Sequence, residues 1–442
     1  MSQRKKLRSH WQNLWASASH MTAGGNWSLQ LAELTQRNLR NFFFDGLFSA
    51  ASDSFILTYL TLFVLALGAS TAEIGWMTAL ASLSATLLLI PGAKMTDRTV
   101  NRKRIVITFA GIMSRLPLIL MATIPLIFKG PTAIWVAIVL KVVIDAARNL
   151  ALPAWTSITA DIVPLAWRGR YFATRNVAMG VATMVVTYGI GEFITQIGDP
   201  QGYQWALILA FVLGLSSTWY FSRLQEPKEN RNQTALQNYK FRGLVSTLQT
   251  DKNFLTFWIY TAIWTFSLNI AGPFFNVFLV RDLKTTASLI GIIAVVGKIA
   301  ALPSQRIFGL LADRWGPRKL MWLTTIMIPL LPISWYFVQA SWQAIPINIV
   351  GGVLWAGYNL ASFNMLLEIA PADQRARYSA LYQIAITIST AAGAALGGVI
   401  AETWGIRLAF LASGIGRTLA AGLFTMKVQQ PASETAMAAT EG

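Results

Sequence analysis

The sequence predicts an all-α integral membrane protein of twelve transmembrane helices, arranged as two parallel six-helix bundles. Three observations carry that expectation. The 442-residue chain is 54% hydrophobic but only 12% charged, about half the charge that a soluble domain spreads over its surface. Apolar stretches able to cross about 30 Å of hydrocarbon, roughly 20 residues each, recur along its whole length. The second half also repeats charged loop sequences of the first.

In order, the first half offers apolar stretches near 42–66, 73–95, 105–128, 132–155, 172–197 and 204–222. The second offers 253–280, 288–308, 320–339, 344–366, 378–401 and 406–426. The fourth is the most polar, with Lys141, Asp145 and Arg148, and the eighth carries Lys298 and Pro303. Residues 223–252 form the one long polar interior stretch, the composition of an exposed linker between packed units. The expected division is therefore a tail 1–40, a bundle 41–222, a linker 223–252, a bundle 253–427 and a tail 428–442. In the first tail Trp27, Leu31 and Leu34 share one helical face, which predicts a short helix lying at the interface or, alternatively, an unstructured tail. That tail has no short apolar core followed by a small-residue cleavage site, so no signal peptide is expected.

The formal charge of +17 has two readings, a nucleic-acid footprint or the basic excess of cytoplasmic loops. The positions decide. Lys and Arg crowd into the N-terminal tail, 94–104, 168–175, the linker, 306–319, Arg375 with Arg377, and Lys427, while the opposite side has Lys129, Arg281, Lys284 and Arg407. Such an asymmetry is topology: a multi-pass cell-membrane protein with both termini cytoplasmic and no nucleic-acid partner required. Cysteine is absent and the histidines are His10 and His20, both in the tail. Disulfides, thiolate metal sites and a histidine relay in the core are thereby excluded, and proton chemistry falls to carboxylates. No G-x-x-x-x-G-K-[ST] loop is present, so the expected energy source is a proton or ion gradient rather than a bound nucleotide, with no cofactor and no metal. No catalytic set falls within the spans, and no enzyme is expected.

Ile74, Gly75, Asp97, Arg98, Arg102 and Lys103 recur at one constant offset as Ile290, Gly291, Asp313, Arg314, Arg318 and Lys319. At a second offset Asp161, Pro164, Arg168, Arg170 and Tyr171 meet Glu368, Pro371, Arg375, Arg377 and Tyr378. With six spans per half, both halves enter from the same side, giving a parallel repeat. The loops GAKMTDRTVNRKR and FGLLADRWGPRKL share Asp-Arg-x-x-x-Arg-Lys. That pattern resembles the signature loop of the major facilitator superfamily, which opens on Gly and has a second Gly three residues after the Asp. The second copy has both, Gly309 and Gly316; the first has Ala93 and Val100. The resemblance covers all twelve spans, and PAWTSITADIVPLAWRGRYFATRN is similar to stretches common in bacterial members. It implies a secondary active transporter, expected as a monomer in the lipid membrane, that moves a small-molecule substrate by alternating access with proton coupling. Efflux of small organic compounds is the favoured direction, uptake of a nutrient or organic anion the alternative, and a receptor or scaffold on the same fold the non-transport alternative. It further implies a conformational latch formed by Asp97, Arg98, Arg102, Asp313, Arg314 and Arg318, turned by Gly309 and Gly316. An Asp at a helix end pairs with Arg and complements a neighbouring helix N-terminus; the bland alternative is a cluster that anchors the loop to anionic lipid.

Charges at span depth cost at least about 2.5–3.5 kcal/mol each, so each needs a partner or a function. Spacings of four and three put Lys141, Asp145 and Arg148 on one helical face. Asp145 neutralises one neighbour, and the surplus cation either attracts an anionic substrate or pairs with Asp45 or Asp53 of the first span. Arg115 and Lys298 are further cavity candidates, while Arg417 is expected to pair or to reach the interface. Among the acids, Asp53, Asp145 and Glu192 are proton candidates, with Asp53 first because its own span carries no basic residue. The second half offers Trp264, Asn269, Asn276, Tyr358, Asn359, Asn364, Tyr382 and Gln383 as cavity lining, with Gly272-Pro273 as a break. For any one aromatic, helix packing is the competing role. The small-residue run at 391–398 predicts close helix approach.

Overall fold

The computed structural model describes residues 22, 25–99, 101–226, 247–371 and 374–428. Among them every regular element is helical and none is a strand. Hydrocarbon demands this, because a span must satisfy each backbone N–H and C=O within itself. The first half comprises α1 (Glu33–Thr58 and, after a 41° bend, Leu60–Ala66), α2 (Thr71–Arg98), α3 (Arg102–Ile127), α4 (Pro131–Ile162), α5 (Arg168–Ile197) and α6 (Gln201–Ser222). The second comprises α7 (Lys252–Arg281), α8 (Ala287–Trp315), α9 (Pro317–Met327 and Leu330–Tyr336), α10 (Ala344–Ile369), α11 (Arg375–Thr403) and α12 (Ile406–Lys427). Among the described residues nine helices are long and apolar enough to cross a membrane, and the bent α1 makes ten. The other two expected spans have visible reasons for standing apart. The 32-residue α4 bears the charged stripe, and α9 is broken at Ile328-Pro329. Large apolar side chains face outward, Leu126 standing 77% exposed and Leu419 68%, as suits surfaces solvated by lipid.

Several helices run past the apolar stretches that announce them. Because α2 continues to Arg98 and α8 to Trp315, the repeated Asp-Arg pairs occupy last helical turns rather than loops. Inside α3 the chain shifts to a π-helix over Val106–Met113, and the Ser114 N–H donates to the Phe109 carbonyl at 2.9 Å. Pro117 explains the shift: its ring crowds the carbonyl four residues back, at Met113, and offers no donor to it. In α7 a 3₁₀ turn at Gly272–Phe274 makes the break that Gly272-Pro273 predicts.

The chain divides into two compact units, residues 1–68 with 84–233 and residues 69–83 with 234–442. The halves expected at 41–222 and 253–427 thus differ from the compact units by one segment, the N-terminal half of α2. In the first unit α1 packs against α6 and α5, over a core that includes Leu39, Phe42, Ile158, Tyr171 and Phe221. In the second, α8 packs along α10, and α7 along α11 and α12, over a core that includes Phe254, Tyr260, Trp264, Met321 and Phe424. The small-residue run of α11 lets backbones meet. A Cβ on Gly393 or Gly397 would collide with the carbonyls of Phe266 or Ile270 in α7.

The N-terminal expectation is corrected. Asn26–Gln30 is a 3₁₀ turn whose Trp27 stacks on Trp167 at 5.0 Å, and Leu31 packs against the first core. Protein aromatics hold this segment, and Leu34 falls in the first turn of α1. His10 and His20, residues 227–246 of the linker, Val100 and residues 429–442 of the C-terminal tail lie outside the described residues.

Candidate functional site

The first unit encloses a cavity of about 510 Å³ lined by α1, α3, α4, α5 and α6, with Asp45, Asp53, Arg115, Arg148, Trp155, Arg175 and Ser217 among its walls. Helix geometry brings these groups together. Asp45, Ser49 and Asp53 recur at spacings of four on α1, so they share one face. Asp53 Oδ1 accepts from Arg115 at 2.8 Å and, in a very short contact, from Arg148. Arg115 also donates to Ser52 at 3.0 Å and to Ser49 at 3.1 Å. Asp45 lies 3.6 Å from Arg175 and accepts from Ser217 at 2.7 Å. Arg175 in turn donates to the Phe42 carbonyl at 3.0 Å and sits over the Phe42 ring. On α4, Lys141 donates to Asp145 at 2.6 Å. The surplus cation of the stripe is therefore Arg148, and Asp53 is its partner.

Two glycines make room for these guanidinium groups. A Cβ on Gly214 would lie 2.6 Å from Arg115 Cδ, and one on Gly46 would overlap the Arg175 guanidinium. Asp45, Arg115 and Arg175 are almost wholly buried, whereas Asp53 and Arg148 keep about a quarter of their side chains open. Of the charged residues in the cavity wall, Asp53 and Arg148 are thus the most open. Charge counting assigns Arg175 to a cytoplasmic loop; the structure places it inside α5, one turn beyond Tyr171. The first-choice proton carrier, Asp53, has two guanidinium partners from other spans, which a reading of α1 alone does not reveal.

The second unit has its own cavity, about 560 Å³, between α7, α8, α9, α10 and α12. Its walls include Phe275, Lys298, Gln305, Trp335, Asn348, Trp355, Asn359 and Arg417. It lies beside the closest approach of α8 and α10, where a Cβ on Gly352 would strike the Gly297 carbonyl. Of the residues proposed for this half, Lys298, Asn276 and Asn359 line the cavity, but Asn269, Tyr358, Tyr382 and Gln383 do not. Asn269 spends its amide on the Thr265 carbonyl and on Thr390. Tyr358 stacks on Trp264 at 5.1 Å within the core, and Tyr382 pairs with Ser362 at 2.7 Å. Gln383 is exposed away from this cavity. Arg417 corrects its expectation most sharply. Among the described residues it neither reaches an interface nor finds a carboxylate: it is 3% exposed, donates weakly to the Leu268 carbonyl at 3.4 Å, and its Nε has no partner.

At the repeated loops, Asp97, Arg98, Asp313 and Arg314 are all exposed and form no ion pair among the described residues. The later basic residues are engaged inside their own units. Arg102 pairs with Asp161 at 2.6 Å and with Glu226 at 3.4 Å, while Arg318 donates to the Val428 carbonyl at 2.9 Å. Gly316 adopts φ +77° to turn from α8 into α9, a conformation only glycine takes freely; Gly309 stands in open space.

The family described as Major Facilitator Superfamily matches residues 42–279 and again 257–440. Over 177 residues the chain is 28% identical to the multidrug resistance protein MdtG of Salmonella typhimurium, covering 38% of this chain and 43% of that protein. It is 24% identical over 179 residues to an MFS-type transporter of Methanocaldococcus jannaschii, covering 40% of this chain and 46% of that one. The chain thus aligns with less than half the length of these curated relatives. Among solved structures, a variant of the nucleoside transporter NupG superposes with a TM-score of 0.74 at 14% identity, covering 90% of this chain and 100% of that chain.

Proposed function

Since the chain belongs to the Major Facilitator Superfamily, and is by that membership a multi-pass membrane transporter for small molecules and not an enzyme, we propose that it is a gradient-driven exporter of small organic compounds. The observation that carries the coupling is the carboxylate–guanidinium network at span depth in the first unit. A proton carrier must sit inside the membrane and exchange its proton as the protein alternates. Neutralising Asp53 would strand two guanidinium groups, whereas neutralising Asp45 would strand one, at 3.6 Å. Asp45 is therefore the proposed proton carrier, in place of Asp53. The direction is supported by the similarity to a multidrug resistance protein, and the orientation with both termini cytoplasmic by the one-sided distribution of Lys and Arg.

The test is transport in inside-out vesicles containing the purified protein, with acidification of the lumen as driving force. Amphipathic fluorescent solutes are expected to accumulate and to be released when the gradient is collapsed. Gradient-independent traces identical to those of empty vesicles would rule the exporter out.

A further inference from the structure

We propose that the cavity of the second unit is an anion subsite, in which Arg417 and Lys298 receive the carboxylate of a small aromatic acid. This names a substrate class for the transporter reading above and rests on it. The argument starts from charge. The residues lining this cavity include two cations and neither Asp nor Glu. The first unit answers its arginines with Asp45 and Asp53, but this one has no such answer among the described residues. Arg417 is the more telling of the two, because it is buried with an unpartnered Nε and one weak backbone contact. A buried cation without a counter-charge is strongly destabilising, so a membrane protein keeps one where a ligand completes it.

The shape and lining select the ligand. A guanidinium fork matches a carboxylate through two parallel hydrogen bonds. Trp335, Trp355 and Phe275 supply apolar walls for an aromatic body, and Asn348, Asn359 and Gln305 add amide groups. At about 560 Å³ the cavity holds a drug-sized solute, within the roughly 300–1,000 Å³ common for ligand sites. Lys298 is exposed toward the same space and supplies the second positive charge. A cationic solute would meet only repulsion here.

The experiment uses the purified full chain in detergent and reads the unfolding midpoint with 1-naphthoate, 1-naphthylmethanol and 1-naphthylmethylamine. The three share a ring system and differ in charge. Naphthoate is expected to raise the midpoint in a concentration-dependent way, the alcohol weakly and the amine not at all. In Arg417→Gln the naphthoate affinity should fall at least about tenfold, with part retained in Arg417→Lys and a smaller loss in Lys298→Gln. The ligand-free midpoint of Arg417→Gln should hold or rise, because an unpaired buried charge has been removed. No shift with naphthoate, an equal shift with the amine, or an unchanged naphthoate shift in Arg417→Gln each overturns the proposal. Failure of the transporter reading looks different: the naphthoate shift persists, but reconstituted vesicles show no counterflow of labelled naphthoate.

Discussion

Asp45 and Asp53 lie two turns apart on one face of α1, and their surroundings assign them different work. Asp53 joins Arg115 of α3 to Arg148 of α4, so Asp53→Asn leaves two cations uncompensated. Loss of one partner from a buried pair costs about 3–5 kcal/mol, and the lower end applies because Asp53 is 27% open. The unfolding midpoint in detergent should drop and recover partly in Asp53→Asn/Arg148→Met. Asp45→Asn should instead insert and exchange solute while losing gradient-driven accumulation; accumulation that still follows the proton gradient would reject Asp45 as carrier. Gly214 tests the packing beneath this network. A methyl group there must displace the Arg115 side chain, so Gly214→Ala is expected to cost about 1–3 kcal/mol by overpacking, measured as a lowered unfolding midpoint. What a residue does here follows from partners on other helices, and those partners are far away in sequence.

Among the elements, α2 and α8 end on the repeated Asp-Arg pairs, and this placement matters for the proposed latch. A carboxylate in the last helical turn faces the negative end of its own helix dipole, which is unfavourable unless an external positive partner compensates. Asp97 and Asp313 have no ion-pair partner among the described residues, so both are available to a partner formed in another conformation. Asp313→Asn is accordingly expected to abolish transport while leaving expression and membrane insertion unchanged, as read by vesicle transport beside quantitative blotting. Full activity would reduce the loop to a lipid anchor. The interrupted spans were only partly legible in advance. Gly272-Pro273 announces the break in α7, but the π stretch of α3 needs the register of the whole helix as well as Pro117.

For the whole molecule, orientation is the property that the charges foretell and that labelling can check. The chain has no cysteine, so single introduced thiols report cleanly. Lys129→Cys should react with a membrane-impermeant maleimide from outside intact cells, and Arg104→Cys only after permeabilisation; the reverse pattern would invert the topology. The all-helical class, most of the apolar spans, the repeated loop motifs and the family were legible in the sequence alone. Hydropathy, loop charge and short motifs are local properties, and lipid converts apolar length into a span without regard to the rest of the chain. Tertiary structure alone decided which charges meet. It gave Arg148 to Asp53 and Arg175 to Asp45, kept Tyr358 and Tyr382 in packing roles, and left Arg417 without a carboxylate among the described residues. The physical reason is that a buried charge takes its value from groups within a few ångströms, and helix packing, not sequence distance, determines which groups those are.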